Sequence, residues 1–311
     1  MGGIGVILNP YARGNRRDPG RSQLFSTILG DDGEVRATKD LDELEAALRD
    51  FHDHGVEVLA VCGGDGSLYH VVSRAMRIWG EADLPPLSII SGGTINNIAR
   101  TLGMRRSRPA AALSQLVANH RRGRSHLLKS RQLLRINGSD YGYIVGAGAV
   151  VNFLNLYYGW GKRGPVGALV LFVTLGLSWI LRTGLIKRVM QPIEADILCD
   201  GQRLPFDQFT ILIGSSITHL GLGVKPFYLS DKEAGAYHFI AGMSTAGQLL
   251  SRLWYFFRGR PCGLDSLYDG TARSVSIRFA VPQAITINGE ILDAVDELRL
   301  EAGPRLSFIC G

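Results

Sequence analysis

No CxxC pair occurs in this 311-residue chain; its cysteines, Cys62, Cys199, Cys262 and Cys310, stand singly and far apart. That spacing excludes a zinc ribbon and a disulfide framework, and it fits a reducing, cytoplasmic setting. Two nucleotide-binding signatures are also missing. The strand-to-loop junctions of the first 125 residues carry no GxGxxG, and nowhere is Gly-Lys followed by Ser or Thr, which sets aside a dinucleotide fingerprint and a Walker A loop. The opening stretch, MGGIGVILNP, lacks the basic region and long apolar run of a secretory signal, and Val6 stands where a myristoylation pattern needs Ser or Thr. It reads as a first strand. No internal repeat or low-complexity tract is present.

Acidic residues are missing from Leu84 to Ser139, while Arg100, Arg105, Arg106, Arg108, Arg121, Arg122, Arg124, Lys129, Arg131 and Arg135 all fall inside. A field of one sign attracts phosphate or an anionic surface. Nucleic acid is not the expected partner, because the segment has no interleaved aromatics for base stacking and matches no zinc-finger, RRM or KH pattern. A solvated basic face and contact with anionic lipid or phosphate both stay open. Over the whole chain, 34 Lys and Arg against 28 Asp and Glu leave a net charge of +6. With 46% hydrophobic and 20% charged residues the chain is a folded one, long enough for two domains.

The first part alternates short β-rich runs with helical patterns. IGVILN, VEVLAVC and LSIIS read as strands, and DLDELEAALRDFHDHG as a helix with an Asp cap and a Gly stop. Strands alternating with helices imply parallel pairing, with ligands outside the carboxyl ends of the strands. Beyond about residue 125 the texture changes to hairpin signals, Asn137-Gly138, Asp200-Gly201 and Asn288-Gly289. The expected organisation is therefore an α/β domain over residues 1–125, to which about 293–311 return, and a β-rich sandwich over 126–292. One run interrupts the second part: GPVGALVLFVTLGLSWIL, eighteen uncharged residues between Arg163 and Arg182. As a helix it covers roughly 27 Å, short of a bilayer core. It fits a buried or surface helix, or a segment lying at a membrane face between flanking cations and aromatics.

The chemistry concentrates in three loops. GGDGS (Gly63–Ser67) follows a strand and opens a helix, so backbone N–H groups are free to meet phosphate oxygens with no Cβ in the way. Asp65 does not itself welcome phosphate, which implies a divalent cation or a donor between them. GGTINNIAR (Gly92–Arg100) repeats the device with Thr94, Asn96 and Asn97, and the first strand ends in NPYARG (Asn9–Gly14). Isolated histidines such as His219 and His238 have no partner at metal or triad spacing and read as structural.

NPYARG, Thr38, GGDGS and GGTINNIAR, in this order and spacing, resemble the catalytic domain of diacylglycerol kinases and their bacterial lipid-kinase and sphingosine-kinase relatives. The resemblance is clear over residues 4–125 and loose beyond. It implies an ATP-binding domain of NAD-kinase-like α/β fold, a β-sandwich lipid-binding domain with a lipid cleft between the two, and Mg²⁺-assisted phosphorylation of a lipid hydroxyl by ATP. Asn9, Thr38, Gly63, Gly64, Asp65, Gly66, Ser67, Thr94 and Asn96 match its nucleotide-binding positions. Asp65 and Glu290 match its catalytic acids, and Asp231 lies roughly where the family has an acidic metal-site loop, although YLSDKEAG also reads as a plain surface turn. The implied partners are a lipid substrate and an anionic membrane surface contacted peripherally from the cytoplasm; self-association is compatible with it.

Departures from the pattern matter chemically. Asn288 replaces the Asp of the family's DGE motif, and an amide has no basic oxygen to accept a hydroxyl proton. Base work would then rest on Glu290, unless NGE is only a hairpin with an exposed Glu. Ile95, Asn97 and His70 also stand where the family usually has Gly, Asp and an acid. Two alternatives therefore accompany the lipid kinase: a catalytically weakened lipid- or nucleotide-binding homologue, and an NAD kinase, which shares a GGDG loop but needs neither GGTINNIAR nor the apolar run.

Overall fold

The computed structural model describes residues 2–92, 97–104, 107–123, 126–161, 164–220 and 223–310, with Pro165 by its backbone alone. The chain forms two compact units, Met1–Arg131 with Arg305–Gly311, and Gln132–Pro304.

In the first unit β1 (Ile4–Leu8), α1 (Arg21–Leu29), β2 (Gly33–Ala37), α2 (Leu41–Asp53), β3 (Val58–Gly63), α3 (Asp65–Trp79), β4 (Leu87–Ser91), α4 (Asn97–Thr101) and α5 (Pro109–Arg121) follow one another. The strands pair in parallel in the order β2-β1-β3-β4, and the C-terminal Phe308 and Ile309 return to pair with Leu87 and Ser88. Helices cover both faces, which is why β1 and β3 read as unbroken apolar runs rather than alternating ones. Ile4, Val6 and Leu8 pack with Phe25 and Leu29 of α1 and with Leu113, Leu116 and Val117 of α5. On the other face Gly5 admits the ring of Phe51 from α2, where a Cβ would come within 2.7 Å. The predicted cap of α2 is present: the Asp40 carboxylate accepts the Glu43 N–H, and Gly55 takes φ +65° just after the helix.

The second unit takes up the rest of β5 (Leu128–Ile136) and continues through β6 (Asp140–Gly142), β7 (Ile144–Gly148), α6 (Ala149–Gly159), α7 (Pro165–Ile180), α8 (Gly184–Val189), β8 (Ile193–Cys199), β9 (Gln202–Arg203), β10 (Gln208–Phe209) and β11 (Ile211–Ser215). It closes with β12 (Tyr237–Gly242), α9 (Ala246–Ser251), α10 (Leu253–Arg258), β13 (Leu267–Ala272), β14 (Ser274–Ile287) and most of β15 (Glu290–Ile309). Pairing here is antiparallel. β13, β12, β11, β7 and β14 run side by side, and β14 shifts register between Arg278 and Gln283, around Pro282, so that its first half pairs with β8 and its last residues with β7.

All three expected hairpin turns are present. Asn137, Asp200 and Asn288 adopt φ of +47°, +49° and +52°, each followed by a glycine with positive φ, as a type I′ turn requires. In each, the side-chain oxygen then accepts backbone N–H groups: Arg299 on Asn137, Arg273 and Ser274 on Asp200, Tyr143 and Ile144 on Asn288. The fold is thus the expected one, a parallel α/β layout followed by an antiparallel, strand-rich region. The apolar run is helix α7, and among the described residues no helix is long and apolar enough to cross a membrane.

Candidate functional site

The parallel register brings the ends of β1, β2, β3 and β4 to one edge. Leu8 lies opposite Ala37 and Cys62, and Gly63 opposite Ser91, so NPYARG, Thr38, GGDGS and Gly92 follow their strands on the same side. Direct bonds tie these loops together. Asn9 donates through Nδ2 to Ser67 Oγ at 2.8 Å, the Gly14 N–H donates to Gly92 O at 2.9 Å, and the Gly92 N–H donates to Gly63 O at 3.1 Å. Thr38 is buried beside them, its N–H on Leu8 O.

Asn15 is the residue that the sequence reading missed. Its Nδ2 donates to Asn9 O at 2.7 Å and to Cys62 O at 3.0 Å, while Oδ1 accepts from Arg21, so one buried amide fastens the first loop to the end of β3. Nothing in the sequence marks it apart from other polar residues of that loop. Burial pushes the Cys62 thiol up to about 11, which keeps it neutral and makes it packing rather than a nucleophile.

Helix α3 begins directly in GGDGS. Gly64 occupies its N-cap in an extended conformation, and no side chain caps it; the first bond of the helix is Leu68 N–H to Gly64 O. The amides of Asp65, Gly66 and Ser67 are therefore ahead of any intrahelical partner, and with the dipole of a 15-residue helix behind them they suit an anion. The Asp65 carboxylate accepts the Asn97 N–H at 2.9 Å and the Ile98 N–H, and so holds the start of α4. Burial raises its pKa to about 6 against the opposing pull of those amides and of Arg100.

At the other end of α4, Lys129 Nζ donates to Leu102 O and Arg131 Nη2 to Thr101 O, cations on a helix C-terminus. The acid-free segment is also less one-signed in space than in sequence. Arg121 pairs with Asp32, and Arg135 with Glu301, acids that lie outside the segment.

Thr94 and Asn96, with Gly93 and Ile95, fall outside the described residues. Asp231 and Glu290 belong to the second unit. Asp231 lies on an exposed turn, and among the described residues no group of three or more His, Cys, Asp or Glu side chains gathers at metal-binding distance. Glu290 follows the hairpin turn and pairs with Ile287; the Asn288 Oδ1 beside it is committed to the Tyr143 and Ile144 amides at 2.9 and 3.0 Å.

No curated protein matches the chain. Among solved structures, a diacylglycerol kinase from Bacillus anthracis strain Sterne superposes with a TM-score of 0.67 at 16% identity, covering 99% of this chain and 97% of that one. A "putative diacylglycerol kinase" from the same organism gives 0.71 at 18% identity with the same coverage. At such identity these likenesses establish the fold. The model of the diacylglycerol kinase catalytic domain matches residues 3–127, which contain every loop gathered at the strand ends. The expected resemblance is borne out: residues 3–127 carry a diacylglycerol-kinase-like catalytic domain, within a chain whose whole fold is that of these kinase structures.

Proposed function

We propose that the protein transfers the γ-phosphoryl group of ATP to the hydroxyl of a diacylglycerol-like or sphingoid-like lipid. The observation that carries this reading is the uncapped start of α3, set in GGDGS at the carboxyl edge of a parallel sheet, inside the residues that match a lipid-kinase catalytic domain. The amides of Asp65, Gly66 and Ser67 bind phosphate oxygens, while Asn9 and Thr38 border them and Thr94 and Asn96 follow in the next loop. A magnesium ion brought with ATP would find a hard carboxylate ligand in Asp65, and would supply neutralisation of charge on the transferring group. The second unit receives the lipid, and Glu290 accepts the proton of its hydroxyl.

The test is incubation of the folded protein with labelled ATP, magnesium and extracted lipids, followed by chromatography of the products. Label in a phospholipid is expected; none in any lipid class would overturn the reading, and label moving to NAD would replace it with a dinucleotide kinase. Phosphoryl transfer asks little of a base. Glu290→Gln is therefore expected to lower kcat only about tenfold, less than a proton acceptor typically contributes.

Asn288 favours a second reading, a homologue that binds lipid or nucleotide but turns over weakly. Asn288→Asp preserves the acceptor for the Tyr143 and Ile144 amides and removes Nδ2, a buried donor with no partner among the described residues. The variant is expected to fold with stability within about 1 kcal/mol of the parent. Phosphorylation rising well above the parent at unchanged ATP affinity would support the weakened-enzyme reading, and a measurable parent activity lost in Glu290→Gln would refute it.

A further inference from the structure

Helix α7 is apolar around its circumference, yet only one stripe of it is covered. Leu171 and Leu175 are buried against Ala149, Val189 and partly buried Phe153, Leu156 and Leu185. The other side leaves Val166, Leu169, Val173, Leu177 and Ile180 between 52 and 75% exposed. A helix that is hydrophobic all round is built to be enclosed, and one covered on a single side in water has a further apolar partner to meet.

A second element extends this surface. Helix α9 opens on a capping box between Thr245 and Gln248, and its Gly247 packs on the indole of Trp179, where a Cβ would come within 2.9 Å. Helix α10 then presents Leu253, Trp254 and Phe257 to solvent, with Trp254 62% exposed. Guanidinium groups lie on the aromatic rings here, Arg258 over Trp254 at 4.5 Å and Arg252 over Tyr255 at 5.4 Å.

The charge within both stretches of sequence has one sign. No Asp or Glu occurs from Tyr141 to Ile193 or from Ala234 to Leu264, whereas Arg182, Lys187, Arg188, Arg258 and Arg260 are exposed. Apolar helices margined by Trp, Tyr and exposed cations match a bilayer interface with anionic headgroups, where apolar groups enter the acyl boundary and cations stay at headgroup level.

We propose that α7 and the α9–α10 pair form one docking surface for an anionic phospholipid bilayer, with α7 lying in the plane of the interface. The choice of a bilayer as the occupant rests in part on the lipid-kinase reading. The test therefore leaves nucleotide out. The full chain is sedimented with phosphatidylcholine vesicles with and without phosphatidylglycerol, at low and high salt, and tryptophan quenching by brominated lipid is followed.

Binding to the anionic vesicles, weakened by salt and accompanied by quenching that falls in Trp254→Phe, is expected. The double variant Leu169→Glu/Val173→Glu changes only exposed positions and is expected to bind at least about tenfold more weakly. Its circular dichroism should stay that of the parent, and so should its phosphorylation of a short-chain, monomeric lipid. Equal binding to neutral vesicles, equal binding by the double variant, or no binding at all would overturn the proposal. So would self-association abolished by the double variant in a parent that ignores vesicles, which would assign the surface to a second copy of the chain. Vesicle binding without any phosphorylation would instead sink the kinase reading and leave the docking surface standing.

Discussion

Gly63→Ala is expected to reduce kcat/KM for ATP by at least about a hundredfold and to lower stability by about 1–3 kcal/mol. A Cβ on Gly63 would overlap the side chain of Ser67, both its Cβ and its Oγ. Neither partner has room to yield. Ser67 is fixed on the first turn of α3 and held by Asn9 Nδ2, and the Gly63 carbonyl accepts the Gly92 N–H, so a shift at residue 63 drags the ends of β1 and β4 with it. The amides proposed to hold phosphate move together with that strain. Ser67→Gly in the Gly63→Ala background removes the obstructing atoms and should return most of the lost stability, more than the sum of the single effects allows. Denaturant titrations of the four proteins and calorimetry with magnesium and ATP measure both quantities. Parent-like ATP binding by Gly63→Ala alone would show that the loop is not the phosphate cradle.

Much of this arrangement was readable from local chemistry. The parallel unit announces itself because both faces of its strands are covered, which leaves apolar runs with no alternation, and because glycines mark where each run gives way to a loop. The hairpins were legible for a sharper reason: Asn-Gly and Asp-Gly tolerate positive φ at successive positions, and the three pairs adopted it. Their side chains do a second task that no local rule reveals. Asn288 reads in sequence as a damaged catalytic acid, while in space its amide oxygen closes two backbone donors of the neighbouring strand.

What the sequence hid is mostly of this long-range kind. The basic stretch from Leu84 to Ser139 has no acid within it, so its charge looked uncompensated. Folding brings Asp32 to Arg121 and Glu301 to Arg135, and sends Lys129 and Arg131 to the carbonyls ending α4. The helices of the second unit were under-read for a different reason. α8, α9 and α10 have six residues each, and periodicity over so few residues does not separate a helix from a buried strand. The apolar run reads as one helix, but its continuation through Trp179 to α9 depends on a close approach at Gly247 that only packing discloses.

Asp65→Asn should make the protein more stable near neutral pH while lowering kcat/KM by about two to three orders of magnitude, the loss expected of the proposed magnesium ligand. Its carboxyl group titrates at about 6 in the folded chain, above the 3.8 of the free group, because burial disfavours the charged form more than the Asn97 and Ile98 amides and Arg100 favour it. A pKa raised on folding contributes stability that is complete below about pH 4 and is lost as pH rises through about 6. The cost at pH 7 is at most about 3 kcal/mol. Asparagine resembles the protonated form: it keeps an acceptor for the helix amides and carries no charge to desolvate. The parent and the variant should therefore have similar stabilities near pH 4, then diverge as pH rises, with the variant ahead. Asp65→Ala separates the cap from the charge. It removes the acceptor as well, leaves two amides of α4 without a partner, and should fall below Asp65→Asn by about 1 kcal/mol at every pH. Denaturant unfolding of all three proteins across this range decides the matter. If Asp65→Asn were instead the less stable protein at neutral pH, the carboxylate would be a cap valued for its charge, and its place at the head of α3 would need no functional explanation.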